Sequence, residues 1–311
     1  MVRFRLWCCW IALSASLVVR TLAADDPKEL RKITDDVDRK FTSIGKLGLT
    51  ITNFGTVGTR NSYWPQQPSC EYPLGSRIEH IYQGGLWVGA QLKTRDSLDS
   101  RNGLLLVSTG ASDRSSRSSS QQLIDGFEFN TGRGETMLEL STLADDRPRD
   151  AQSSQLAVSH QDFIATYTDS LTRIPATNDS IINHTKLRLV VRQESYAWNF
   201  PFADFFVILR YKIFNASADT LDSVYVGFWN NAVVRNTNLV RPGTPGYFDW
   251  TGQGFDSTER MAYSFDYSGV PGGPPADSYL GVKLLGTTPF PSRVDSLGDL
   301  HRNTYYNAWQ F

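Results

Sequence analysis

Two runs in the second half of the chain leave little choice of fold. In Lys186-Leu-Arg-Leu-Val-Val-Arg192, the apolar Leu187, Leu189 and Val191 alternate with Lys186, Arg188 and Arg192. A repeat of two is that of a strand with one face buried and the other in water. Asp204–Phe214 repeats it, with Phe205, Val207, Leu209, Tyr211 and Ile213 on one face and Phe206, Ile208, Arg210, Lys212 and Phe214 on the other. That pattern predicts a central strand, covered on both sides near its start. The turn-rich Asn215-Ala-Ser-Ala-Asp219 leads on to Val224-Tyr-Val-Gly-Phe-Trp229, so the two runs are predicted to pair as an antiparallel hairpin. Further strands are expected at Leu47–Ile51, His80–Leu92, Leu104–Ser108, Ile124–Phe129, Arg260–Phe265 and Tyr279–Leu285. Long alternating runs with little helix predict an all-β chain of antiparallel β-sandwich modules.

One segment breaks this rule. From Pro27 to Ile44, Leu30, Ile33, Val37, Phe41 and Ile44 recur at three- or four-residue spacing with charges between them, which predicts one short N-terminal helix. Before it, Arg3 and Arg5 precede an apolar run from Leu6 to Val19 and the small residues Ala23 and Ala24. This is the pattern of a secretory signal peptide, and the run is short for a membrane span. The expected division is therefore residues 1–24 as leader, 25–46 as helix and linker, and 47–311 as the β-sandwich region. If that region forms two modules, they should divide near 175–185, and further chain is expected beyond Phe311, where an aromatic strand pattern is still running.

Export bounds the chemistry. Of the three cysteines, Cys8 and Cys9 lie in the leader and only Cys70 remains, so no internal disulfide can form and stability must come from packing. Cys70 is expected as a small buried hydrophobe rather than a nucleophile. The leader also removes Arg3, Arg5 and Arg20, leaving a small excess of Asp and Glu. With no basic run, nucleic acid is not an expected partner, and after cleavage no membrane-spanning segment is expected.

Candidate chemistry gathers late in the chain. Asp249, Asp256, Glu259, Asp266 and Asp277 lie on and around two Gly- and Pro-rich stretches, Arg241–Gly254 and Tyr267–Asp277. Oxygen ligands for a structural calcium, paired carboxylates for glycoside hydrolysis, and turn-capping acids all use such residues. The spacing is specific to none of them, and turn acids are the expected role. Calcium, held by Asp249, Asp256, Asp266 and Asp277, is the one cofactor left open. His80, His160, His184 and His301 form no zinc pattern, and no serine sits in Gly-x-Ser-x-Gly, so neither metallohydrolase nor serine-hydrolase chemistry is expected. Trp87, Trp229 and Trp250 are candidates for stacking on sugar rings, with core packing the alternative.

The runs Ile51-Thr-Asn-Phe-Gly-Thr-Val-Gly58, Cys70-Glu-Tyr-Pro-Leu-Gly-Ser76, Tyr82-Gln-Gly-Gly-Leu-Trp-Val-Gly-Ala90, Leu221-Asp-Ser-Val-Tyr-Val-Gly-Phe-Trp229 and Tyr279-Leu-Gly-Val-Lys-Leu-Leu285 resemble, in the same order, the N-terminal β-rich region of large secreted proteins of Gram-negative bacteria that use type IX secretion. The resemblance implies an exported, cell-surface or released protein built of β-sandwich modules, and carries over no catalytic residue. The chain stops before any sorting domain of that kind. The expected function is a secreted structural or binding module without catalytic activity, its partner a surface glycan or another cell-surface protein. The alternative is an extracellular carbohydrate-active enzyme or sugar-binding protein.

Overall fold

The computed structural model describes residues 38–58, 67–113, 122–123, 125–131, 136–173, 178–241, 246–267, 276–287 and 306. The described chain is all β. Its strands are β1 Arg39–Phe41, β2 Gly48–Thr52, β3 Thr56–Val57, β4 Cys70–Glu71, β5 Ile78–Lys93 and β6 Leu105–Thr109. There follow β7 Gln122–Leu123, β8 Leu138–Ser141, β9 Gln152–Ser153, β10 Gln161–Thr168, β11 Ser180–Ile181 and β12 Leu189–Ala197. The last five are β13 Ile208–Asn215, β14 Thr220–Asn236, β15 Thr251–Asp256, β16 Met261–Asp266 and β17 Tyr279–Lys283.

Seven strands form one sheet in the order β1-β2-β3-β5-β14, with β4 paired to β2 and β5, and β6 paired to β5. Five form a second in the order β13-β12-β10-β8-β9, three form a third, β15-β16-β17, and β7 pairs with β11. Across the link at 175–185, β10 and β12 run antiparallel along their whole lengths, from Gln161 opposite Ala197 to Thr168 opposite Val190. Both larger sheets supply the same core clusters. Leu49, Ile51 and Ile81 pack with Phe163 and Ala165, and Leu86 and Val88 pack with Tyr167, Leu189 and Val191. Burial of each such side chain contributes about 1.5–3 kcal/mol.

The glycines of β5 have a packing reason. A Cβ on Gly85 would lie 2.7 Å from the backbone of Gly110 and Ala111 and 2.8 Å from the Gly55 carbonyl. Three backbones therefore meet at a point where no side chain fits.

Four expectations are corrected. The predicted N-terminal helix is not seen: residues 27–37 lie outside the described residues, and Arg39–Phe41 is a strand paired with Thr52–Thr50. An available buried strand edge outweighs a helical spacing, because most helical stability comes from tertiary packing of the apolar face rather than from local propensity. Of the predicted strand Ile124–Phe129, the described residues 125–129 form none; the chain bends at Gly126, with φ of 90°, and drops Phe127 and Phe129 into the core. Ile124 lies outside the described residues. The predicted hairpin does not form either, since β13 pairs with β12 and β14 pairs with β5. The Asn215–Asp219 link therefore carries the chain from one sheet to the other. Finally, β13 is the edge of its sheet, not its centre.

The start of β12 also shifts. Arg188 takes a left-handed φ of 60°, and the Asp169 carboxylate accepts the backbone N–H groups of Leu187 and Leu189 at 2.8 and 2.6 Å. A buried carboxylate thus replaces the ladder just where the alternating run begins.

Candidate functional site

The two strands joined by that link are the terminal strands of their sheets, and both border one cleft of about 2950 Å³. Local chemistry explains the link. Asn215 Oδ1 accepts the Ser217 N–H at 2.9 Å and its Nδ2 donates to the Asp219 carbonyl at 2.8 Å, a side-chain turn that reverses the chain. The β13 wall is held to β12 by charge. Glu194 accepts from Arg192 at 2.8 Å and Lys212 at 2.9 Å, with Arg210 at 3.6 Å. Burial works against the Glu194 anion, but these donors and Tyr196 outweigh it and bring the carboxyl down to about 2.

The walls of the cleft are apolar and partly uncovered. Val207 and Leu209 of the β13 run, with Phe228 of β14, pack on one core cluster, and Tyr211, Ile213 and Leu221 pack on the other. Beyond them Phe205, Val224, Tyr225 and Val226 are exposed. The second half of β14 differs, for Ala232, Val233, Val234 and Arg235 are buried where the β15-β16-β17 sheet packs on it.

That small sheet carries the acidic candidates and separates them. Asp256 pairs with Met261 at one end of the β15-β16 ladder and Asp266 with Thr251 at the other. Five residues of strand part them, about 17 Å, beyond the separation of a glycosidase pair. Asp256 caps its own turn, accepting the N–H groups of Thr258 and Glu259 at 2.8 and 3.0 Å, while Glu259 pairs with Lys283 at 3.0 Å. At the other end Asp266 meets Arg235 at 3.0 Å and accepts the Ala276 N–H at 3.2 Å. Burial lowers the Arg235 pKa, and Asp266 and Asp249 oppose that. Asp249, Asp266 and Asp277 therefore share one end of the sheet, where the cation beside them is the chain's own guanidinium. Asp249 and Asp277 are exposed. Among the described residues no group of three or more His, Cys, Asp or Glu side chains is placed to share a metal ion.

The tryptophans divide in the same way. Trp87 and Trp229 stack on each other at 6.2 Å and 12°, Trp87 Nε1 donates to the Ala111 carbonyl at 2.7 Å, and Trp229 is buried. Trp250 is 44% exposed, lines the cleft and meets Tyr267 edge-on at 5.9 Å. Its φ of 66° is left-handed, a strained state for a bulky residue.

A second buried group was not anticipated. Glu79 accepts the N–H groups of Ser69 and Cys70 at 3.2 and 2.7 Å, and the neighbouring His80 joins the Cys70 carbonyl at 3.2 Å to Ser278 Oγ at 2.9 Å. Burial pushes the Glu79 carboxyl up to about 7 and the His80 imidazole down to about 4. Cys70 is buried, and desolvation drives its thiol far above the ordinary range, which leaves it unreactive. His160 accepts the Asn199 N–H at 3.3 Å and His184 contacts the Asp169 carbonyl at 2.6 Å, while His301 lies outside the described residues. Sequence reading also missed Arg235, although a lone cation behind Ala232-Val-Val was a visible signal.

Compared with known proteins, the chain matches no family model, no curated protein sequence and no solved structure.

Proposed function

We propose that the chain is an exported structural or binding module of β-sandwich build, acting at the cell surface through the cleft between β13 and β14. The observation that carries this reading is the cleft itself: two strand edges that no strand among the described residues pairs with, one from each large sheet, flank an apolar gap. Unpaired edges are templates for an added strand. The core clusters shared by the two sheets support the sandwich, and the leader pattern at residues 1–24 supports export. Among the described residues no helix is long and apolar enough to cross a membrane.

A sugar-binding reading has one observation in its favour, the strained and exposed Trp250 beside the exposed Tyr267. The test is an oligosaccharide array and a glycoside-hydrolysis assay on the wild type, Trp250→Ala and Asp249→Asn. The cleft acting as a receiver of a protein strand expects no turnover and no sugar retention. Retention lost in Trp250→Ala would move the reading to a lectin, and turnover lost in Asp249→Asn to an enzyme.

A further inference from the structure

We propose that two loops at one end of the β10–β12 ladder form a membrane-contacting tip, which inserts its apolar side chains into the surface of a net-neutral phospholipid bilayer. The tip is a second working surface, and it does not depend on what the cleft receives. Residues 154–160 lead into β10 and residues 198–207 follow β12, and Gln161 lies opposite Ala197, so both loops leave the same end of the ladder. They are joined there. The His160 and Phe200 rings meet at 4.5 Å, His160 Nδ1 accepts the Asn199 N–H at 3.3 Å, and Ser159 Oγ accepts the Ala197 N–H at 3.0 Å. On this base Leu156, Val158, Phe200 and Phe202 stand in solvent, Leu156 at 84% and Phe202 at 75% exposure. Phe200 and Phe202 stack at 5.3 Å and 7°, and the exposed Phe205 and Phe206 extend the patch.

Charge, backbone and area together favour lipid as the partner. Between them the two loops hold one acid, Asp204, and no Lys or Arg, and a charge facing hydrocarbon is costly. Asp204 is buried and pairs with Lys46 at 2.8 Å. The backbone is also prepared, since lipid offers no partner to a bare N–H. Asp162 accepts the N–H groups of Val158 and Ser159 at 2.6 and 2.8 Å, Ser154 accepts those of Leu156 and Ala157, the Phe200 carbonyl accepts that of Ala203 at 2.8 Å, and Pro201 has none. The four Phe rings leave about 400 Å² of apolar surface in water, a patch large enough to mark a contact site. Even with Leu156 and Val158 it falls short of the ~800 Å² that each partner of a stable protein pair buries, which disfavours a second copy. Behind the rings lie the half-buried Trp198 and Lys46, whose side chain is 58% exposed. Such residues suit the depth of the headgroups.

Flotation of the exported chain with phosphatidylcholine vesicles tests this. The wild type is expected to float with them, and high salt should not release it. The double variant Phe200→Ser with Phe202→Ser should bind about tenfold or more weakly at an unchanged melting temperature, because both side chains are exposed. Phe202→Trp should keep the binding and add fluorescence that brominated acyl chains quench. Leu98→Ser, at a side chain 90% exposed in the link between β5 and β6, is the control and should bind as the wild type does. A wild type that stays in solution overturns the proposal, and so does flotation that the double variant leaves undiminished. Binding that needs anionic lipid and is lost in high salt overturns it in favour of charge attraction. A dimer in lipid-free solution that the double variant dissolves overturns it in favour of a second copy.

Discussion

The Arg235 guanidinium lies 3.0 Å from the Asp266 carboxylate, and the two side chains are 1% and 3% exposed. The pair ties the small β15-β16-β17 sheet to the second half of β14. Removing one partner of a buried pair strands the other charge and costs about 3–5 kcal/mol. Asp266→Asn is therefore expected to lower the unfolding free energy by about 3 kcal/mol, measured by urea denaturation. The double variant Arg235→Met with Asp266→Leu should recover most of that loss. A loss under about 1 kcal/mol for Asp266→Asn would mean that water reaches the pair.

The same guanidinium bears on calcium. Because Arg235 already supplies positive charge at the end of the sheet where Asp249, Asp266 and Asp277 meet, calcium and chelator should give the same melting temperature. A ligand bound only by the folded chain must raise it. A rise with calcium that disappears in Asp249→Asn and Asp277→Asn would place an ion there after all.

Glu79 and His80 predict a compensated pH dependence. Between its ordinary value of 4.5 and about 7, folded Glu79 keeps a proton that the unfolded chain has released, so stability falls as pH rises. Between about 4 and 6.5, folded His80 is neutral where the unfolded chain is charged, so stability rises with pH. The two slopes oppose each other from 4.5 to 6.5, and only the Glu79 decline continues towards about 7. Glu79→Gln should therefore uncover a rise with pH of up to about 1.4 kcal/mol per unit across the overlap. Taking the difference from wild type cancels groups that are unchanged in both. Parallel curves for the two proteins would mean that Glu79 titrates normally.

Gly85 predicts a steric cost. With two neighbouring backbone segments, Gly110–Ala111 and Gly55, within 2.8 Å of any Cβ there, Gly85→Ala must push strands apart, and a loss of about 2 kcal/mol is expected by denaturant melts. Gly227, whose Cβ would meet nothing within 4 Å, is the control, and Gly227→Ala should be close to neutral. Equal effects at both positions would remove the packing explanation.

Several strands were legible because alternation reports directly which face of a strand is wet. His80–Leu92 falls inside β5, and Arg260–Phe265 matches β16 but for its first residue; the second half of β5 turns every second side chain to the core. The helical spacing through Phe41 misled, because three-residue spacing counts apolar positions without knowing that a buried strand edge lies within reach. Ile124–Phe129 misled for a related reason. Phe127 and Phe129 are buried as the alternation asks, yet side chains on a bent chain can reach a core without a ladder.

The candidate site was less legible still. Asp249, Asp256, Glu259, Asp266 and Asp277 were recognised as one group in sequence, but the β15-β16 ladder sets Asp256 and Glu259 at the end opposite Asp266, and Arg235, which pairs with Asp266, lies on a different strand. Trp87 and Trp229 were visible as strand aromatics, while their mutual stacking needs the β5–β14 register that sets Trp87 opposite Gly227 and Trp229 opposite Gly85.

Sequence by itself determined the class of the fold, since period two, turn residues and a single cysteine after residue 24, Cys70, allow packed strands and little else. Tertiary structure alone decided that Asn215–Asp219 crosses between sheets instead of closing a hairpin, and with that it decided where the cleft lies. The physical reason is that a strand carries two equivalent hydrogen-bonding edges and its side-chain pattern names neither partner. β13 pairs with β12 and β14 with β5, and among the described residues no strand pairs with their opposite edges.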